Sequence, residues 1–382
     1  LDRSRPLWDI HILNVKTSDA EAVVVVRCHH SLGDGMSLMS LLVASTRKTS
    51  DPEAFPTIPV IKRREDFLSH NLRNKGRLLR LIFTIYYGVK LIWNTIVDLV
   101  QFSATVLFLK DTKTPLEGSG GIQNNRKRLY HRTVSLDDIR LIKDALNMTI
   151  NDVLLGVTQG ALSRYLNGRY ANTEVESEAS TSNSNNLPGG IQLQAVVAVN
   201  LRQEIGIQPV ANMLAKRSKC RWGNYNSSVI FPFSISLETD PLVNLSNTKS
   251  IMDRKKYSLA AGLLYSNSKF IMNLFGPKVG AVLYKRIVSN TLTFFSNIVG
   301  PMEKVSLHGK QIAYIALTCY GNGHSHALSM YFVSYADKIT ISVGVDPTVI
   351  PDPHNLCDKM EESLKAIKDA LSEKRDLFGV YH

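Results

Sequence analysis

The chain has 382 residues, 44% of them hydrophobic and 20% charged. That is enough length for two domains with buried cores, and it excludes a peptide hormone, a lone helix bundle, a small disulfide scaffold and a polytopic membrane chain. The net charge of +12 is spread through both halves, which suits anionic partners: phosphate-bearing cofactors, acidic lipid headgroups or nucleic acid.

Trp8 to Val15 alternates in part and Ala22 to Cys28 is a β-branched run, so the start of the chain predicts paired strands, the second of them buried. A turn-rich segment follows, His29-His30-Ser31-Leu32-Gly33-Asp34-Gly35, and the Leu/Met spacing from Met36 to Thr46 predicts a helix. Residues 62–80 are basic and lead into an apolar segment, Leu81 to Leu109. No uncharged run inside it exceeds eleven residues, short of the roughly 18 a membrane-spanning helix needs. Its polar positions (Arg77, Arg80, Thr84, Tyr87, Lys90, Asn94, Asp98, Gln101, Thr105) recur every three or four residues, which makes one polar stripe on a long helix. Interfacial membrane binding is favoured over a core helix and over a spanning one, because placing Lys90 and Asp98 at a bilayer centre would cost about 2.5–3.5 kcal/mol each.

Leu136 to Leu166 reads as helical, with a capping-box-like start at Thr149-Ile150-Asn151-Asp152. Asn167 to Gly190 is rich in Ser, Asn, Glu and Gly and reads as a solvated linker or crossover, dividing the chain into domains at 1–166 and 191–382. The second half predicts strands at Gln192 to Val199, Ser228 to Leu237, Thr291 to Val299 and Gln311 to Thr318. It then predicts a hairpin, Ala327 to Ser334 and Lys338 to Val345, turning at Ala336-Asp337. It ends in a helix with apolar positions Leu356, Met360, Leu364, Ile367 and Leu371. Cys28, Cys220, Cys319 and Cys357 are far apart with no CxxC, so neither a disulfide framework nor a zinc site is indicated and a reducing, cytosol-facing location is expected.

A histidine at a strand end, with a carboxylate four residues on and glycines shaping the turn, is a plausible general-base assembly. Two satisfied histidines with Asp34 capping a turn is the equal alternative. Adjacent strand residues point to opposite faces, so His29 and His30 do not readily serve one ligand, and no metal is expected. There is no G-x-S-x-G, Walker A or G-x-G-x-x-G, which leaves serine hydrolase, P-loop and Rossmann readings without a motif. The basic clusters Arg126-Lys127-Arg128 and 216–219 lack interleaved aromatics, so nucleic acid is not an expected partner.

His-His-x-x-x-Asp-Gly resembles the active-site signature of the superfamily that includes chloramphenicol acetyltransferase, peptide-synthetase condensation domains and wax ester synthase/diacylglycerol acyltransferases. Pro6-Leu7-Trp8, Asn151-Asp152-Val153, Val199-Asn200-Leu201-Arg202, Ser296-Asn297-Ile298-Val299-Gly300-Pro301 and the ending Ile350-Pro351-Asp352-Pro353-His354 are similar, in order, to motifs of the plant-type bifunctional members of the last group. The resemblance covers nearly the whole chain. It implies an α/β fold of two chloramphenicol-acetyltransferase-like sandwich subdomains with the active-site tunnel between them. It also implies transfer of a fatty acyl group from acyl-CoA, a substrate rather than a cofactor, to a long-chain alcohol or diacylglycerol at the cytosolic face of the endoplasmic reticulum or at the plasma membrane.

By the same resemblance His30 is the general base and His29, Asp34 and Gly35 complete its loop. Asp34 pairs with an arginine, for which Arg202 is the candidate. Ser296 or Asn297 supplies a donor near the oxyanion or stabilises a turn, and Trp8 lines the acyl tunnel or packs in the core. The alternatives are an amide-forming condensation-type enzyme, which a carrier module would accompany, and an inactive lipid-binding paralogue. In full-length relatives a substantial portion precedes the Pro-Leu-Trp motif, whereas here Pro6 is almost the first residue, so a truncated chain is expected.

Overall fold

The computed structural model describes residues 4–57, 59, 76–117, 127–174, 185–202, 222–319 and 326–378. The basic residues at 62–75, Arg126, the cluster at 216–219, Cys220 and the centre of the expected linker lie outside them. The strands are β1 (Trp8–Leu13), β2 (Val23–Cys28), β3 (Arg47–Lys48), β4 (Arg128–Ser135), β5 (Gln192–Asn200), β6 (Asn226–Ser234), β7 (Thr293–Val299), β8 (Val305–Leu307), β9 (Lys310–Gln311), β10 (Leu328–Tyr335) and β11 (Lys338–Val345). The helices are α1 (Gly35–Ser45), α2 (Arg77–Leu107), α3 (Leu136–Ala145), α4 (Ile150–Glu174), α5 (Pro241–Lys256), α6 (Ala260–Phe275), α7 (Pro277–Asn290) and α8 (Pro353–Phe378).

The fold is mixed α/β. Its centre is a six-stranded sheet in the order β4-β11-β10-β7-β5-β6, in which β7 runs parallel to both β5 and β10 and the other pairs are antiparallel. It draws β4 from before the crossover and five strands from after it. Helices α3, α4, α5 and α8 cover one face, where Leu356, Met360, Leu364, Ile367 and Leu371 of α8 are all buried. On the other face α1 packs Met39 and Val43 against Val333, Tyr335 and Ile298.

The single helical stretch expected over Leu136 to Leu166 is two helices. The break comes where Thr149 begins the second: Asp152 Oδ2 accepts the Thr149 N–H (2.9 Å) while Thr149 Oγ1 accepts that of Asp152 (3.3 Å), a reciprocal cap. Helix α4 then runs on to Glu174, into the stretch read as linker. The strand expected at Gln311 to Thr318 is formed only at β9. Beyond it the chain is an irregular strap whose Ile312, Ile315 and Leu317 pack on the sheet while Tyr335 Oη donates to the Ile312 carbonyl (2.7 Å), so its alternation serves packing without a ladder partner.

One further expectation is corrected by burial, and the direction of the polar stripe is set by it. Strand β2 pairs with β1 as expected, but Val24, Val25 and Val26 are exposed, because among the described residues this two-stranded ribbon has no further strand beside it. In α2 the later part of the polar stripe is the inward side, with Asn94, Thr95, Asp98 and Thr105 buried, while Arg77, Arg80, Thr84 and Lys90 in its first half are exposed. Asn94 Nδ2 donates to the carbonyls of Arg254 (3.3 Å) and Tyr257 (3.0 Å) at the end of α5. Asp98 pairs with Arg254 (2.9 Å) and Lys255 (3.0 Å), and Thr105 donates to Gln194 of β5 (2.9 Å). The apolar side chains face out: Leu78, Ile82, Ile85, Val89, Ile92, Trp93, Ile96 and Val100 are all exposed, continued by Leu263, Phe270, Leu274 and Phe275 on α6 and Val279 and Val282 on α7. No helix among the described residues is long and apolar enough to cross a membrane.

Candidate active site

Strand β2 stops at Cys28, and the next residues turn at once. His29 caps a single 3-10 turn, His30–Leu32, with its Nδ1 accepting the Ser31 N–H (3.2 Å) and lying 2.7 Å from Ser31 Oγ. That spends the His29 ring on the turn. The imidazole of His30 is exposed and makes no hydrogen bond with any described residue, which leaves both ring nitrogens open to a reactant.

Asp34 caps α1 and is buried. Its Oδ1 accepts the Ser37 N–H (3.0 Å), and its Oδ2 accepts Nη1 of Arg202 (2.7 Å) and the Tyr225 N–H (2.9 Å). Arg202 stands just past β5 and also donates to Ser37 Oγ (3.0 Å), the Gly223 carbonyl (2.8 Å) and Asn200 Oδ1 (3.2 Å). Burial by itself pushes the Asp34 carboxyl up, but Arg202 and the two N–H groups more than offset it and hold the group below the usual carboxylate range. With both oxygens occupied by donors, Asp34 locks the loop. The expected Asp34–Arg202 partnership is therefore present as an ion pair.

Gly35 opens α1 where a Cβ would overlap Cδ1 of Ile298, so the missing side chain lets the helix sit directly on β7. Ile298 and Ser296 share the β7 face that α1 covers. Asn297 points to the opposite one, on the side of Phe295, and alternation keeps it apart from the Gly35 contact. Trp8 is 53% exposed on β1, opposite Cys28, and is not a core tryptophan in this structure. Asp152 stays with the α4 cap, where Lys256 pairs with it (2.7 Å).

The motif reading missed a second set of residues. Trp222 Nε1 donates to the Leu32 carbonyl (2.7 Å), Asn224 Nδ2 to the His30 carbonyl (2.9 Å), and the Gly223 carbonyl accepts from Ser37 Oγ (3.0 Å). The glycine of Trp-Gly-Asn-Tyr, three residues ahead of β6, was the available signal; Gly223 sits at φ +106°.

An imidazole with no hydrogen-bond partner among the described residues thus stands on a turn that an internal arginine–aspartate pair locks. The wax ester synthase/diacylglycerol acyltransferase catalytic domain profile matches residues 1–154, and the WS/DGAT C-terminal domain profile matches 222–368. The chain is 67% identical to wax ester synthase/diacylglycerol acyltransferase 10 of Arabidopsis thaliana, over 98% of this chain and 77% of that protein. It is 57% identical to number 7 of the same plant, over 98% and 78%. The chain belongs to the wax ester synthase/diacylglycerol acyltransferase family. Among solved structures, the wax ester synthase/diacylglycerol acyltransferase from Marinobacter aquaeolei VT8 has a similar fold (TM-score 0.51, 15% identity, 97% of this chain and 73% of that one). So does the EpoB cyclization-docking bidomain from Sorangium cellulosum (TM-score 0.50, 11% identity, 96% and 63%).

Proposed function

We propose that this chain is an acyl-CoA-dependent O-acyltransferase that makes wax esters from long-chain alcohols, triacylglycerol from diacylglycerol, or both. The observation that carries the reading is the His30 imidazole, without a partner among the described residues, on a turn locked by Asp34 and Arg202, in a chain of this family. His30 takes the proton of the acceptor hydroxyl as its oxygen attacks the thioester carbonyl. The tetrahedral adduct then collapses, the C–S bond breaks, and the CoA thiolate leaves with the proton returned by the imidazolium. No acyl-enzyme is needed. A base of this kind contributes about 10² to 10⁴ in rate.

The test is an assay with labelled acyl-CoA plus hexadecanol or diacylglycerol. His30→Ala is expected to lower ester formation by about 10²- to 10⁴-fold; undiminished ester formation by that variant overturns the assignment.

The second part of the proposal is a lipid surface, on the cytosolic face of the endoplasmic reticulum or the plasma membrane. What supports it is the inverted polarity of α2. A helix that buries Asn94, Thr95, Asp98 and Thr105 and turns isoleucines and Trp93 outward is matched to a hydrocarbon boundary, with exposed Arg77, Arg80, Lys278, Lys285 and Arg286 suited to acidic headgroups. Protease accessibility of the tagged protein in intact microsomes tests the sidedness: full protection overturns it.

A further inference from the structure

The turn that carries His30 is built from three residues, with one backbone bond of its own, Leu32 N–H to the His29 carbonyl (3.0 Å). So short a 3-10 turn does not hold a rigid shape alone. Nor does the imidazole fix itself, since no described residue bonds it. Its aim is therefore set by the backbone beneath it, and that backbone is gripped from a segment almost two hundred residues away in sequence.

Each of the four consecutive residues Trp222, Gly223, Asn224 and Tyr225 bonds the stretch from His30 to Ser37. Trp222 Nε1–H reaches the Leu32 carbonyl (2.7 Å), and its ring edge lies against Gly33. The Gly223 carbonyl accepts from Ser37 Oγ (3.0 Å) and, at 3.4 Å, from the Asp34 N–H. Asn224 Nδ2–H reaches the carbonyl of His30 itself (2.9 Å), and the Tyr225 N–H bonds Asp34 (2.9 Å). Asn224 and Trp222 are both exposed, where a hydrogen bond adds little to stability. Their geometric leverage on the turn is large.

We propose that Asn224 and Trp222 are positioning residues for the acyl transfer, aiming the His30 imidazole by fixing the carbonyls of His30 and Leu32. The proposal rests on the reading of His30 as the base. Side-chain torsions follow the backbone they stand on, and a shift of about 1 Å in a reacting group costs on the order of 10²-fold in rate. Removing the Asn224 amide leaves the His30–Ser31 peptide held only through its Ser31 N–H, which His29 Nδ1 accepts (3.2 Å), whereas substrate-binding surfaces remote from the turn are untouched.

The experiment compares Asn224→Ala, Asn224→Gln, Trp222→Phe and His30→Ala in the full chain, measuring kcat, KM for acyl-CoA and thermal midpoint. Asn224→Ala is expected to lose about 10²-fold in kcat with KM within about threefold and a midpoint close to that of the parent. Asn224→Gln, which keeps a donor, is expected to recover part of that loss. Trp222→Phe keeps the ring against Gly33 and removes only the N–H, so a smaller loss confined to kcat is expected; it decides the matter alone if Asn224→Ala fails to fold. Parental kcat in Asn224→Ala and Trp222→Phe, with His30→Ala inactive, overturns the positioning role and leaves the base intact. Losses that track falling thermal midpoints overturn it too, as a purely structural contact. An active His30→Ala overturns the base and the positioning role together.

Discussion

Replacing Ile85, Ile92 and Ile96 together by Gln tests whether the outward side of α2 is the lipid-facing surface. The three lie on one helix face and are 57%, 61% and 49% exposed, so the parent gains by covering roughly half of each side chain. Full burial of an isoleucine is worth about 1.5–3 kcal/mol, so half of each is about 0.7–1.5 and the three together about 2–4.5 kcal/mol. That corresponds to roughly 30-fold to about 2 × 10³-fold weaker partitioning. Gln keeps helix propensity, and none of the three side chains is buried, so the fold is expected to survive. Co-flotation with phosphatidylcholine vesicles containing an anionic lipid measures the change, with Ile10→Gln/Ile12→Gln on the equally exposed β1–β2 ribbon as the matched control. Unchanged partitioning of the triple variant, or an equal loss from the ribbon pair, refutes the assignment.

Asp34→Ala leaves Arg202 largely buried without its carboxylate and is expected to cost about 3–5 kcal/mol in urea unfolding, a large part of a typical domain's stability. Because the folded-state pKa of Asp34 lies below its ordinary value, this contribution is present above the unfolded carboxylate pKa of about 3.9 and is lost as pH falls through the lower folded value. The stability gap between parent and Asp34→Asn should therefore stay level from neutral pH to about 5 and shrink below about 4; a gap that closes near pH 6 contradicts it. At Gly300 a Cβ would overlap the backbone carbonyl of Ser334, whereas at Gly35 it meets the movable end of Ile298. Gly300→Ala is expected to destabilise by about 1–3 kcal/mol or more and Gly35→Ala by less; equal denaturation midpoints speak against the packing argument.

What was legible in the sequence was local or carried by motif. The Thr149–Asp152 cap, the β10–β11 hairpin with Ala336 at φ +50°, and the buried stripe of α8 follow from spacing alone, since each is decided within a few residues. The Asp34–Arg202 pair came from resemblance to a family pattern; no spacing rule links positions so far apart. Other features were hidden because their causes are not local. A β-branched run such as Val23–Val26 suits a buried strand, but burial needs a neighbour on its faces, and none covers it among the described residues. The stripe of α2 was legible as a stripe, while its direction depended on Arg254 and Lys255 arriving from α5. Helices α5, α6 and α7 went unread although Asp240-Pro241 and Gly276-Pro277 mark two of their starts. Trp222 to Tyr225 went unread because hydrogen bonds to a remote carbonyl leave no pattern in the donor's own neighbourhood.

The orientation of α2 also decides which of its residues can be exchanged without loss of the fold. Trimming the polar residues of a greasy helix, on the view that they are its water-exposed side, would here excise the struts: without Asp98 the ammonium of Lys255 stays enclosed with no counter-charge, and without Asn94 two carbonyls at the tail of α5 go bare. If the outward side of α2 meets lipid as proposed, that contact is weakened by replacing its isoleucines and valines while Asn94 and Asp98 on the reverse are left alone.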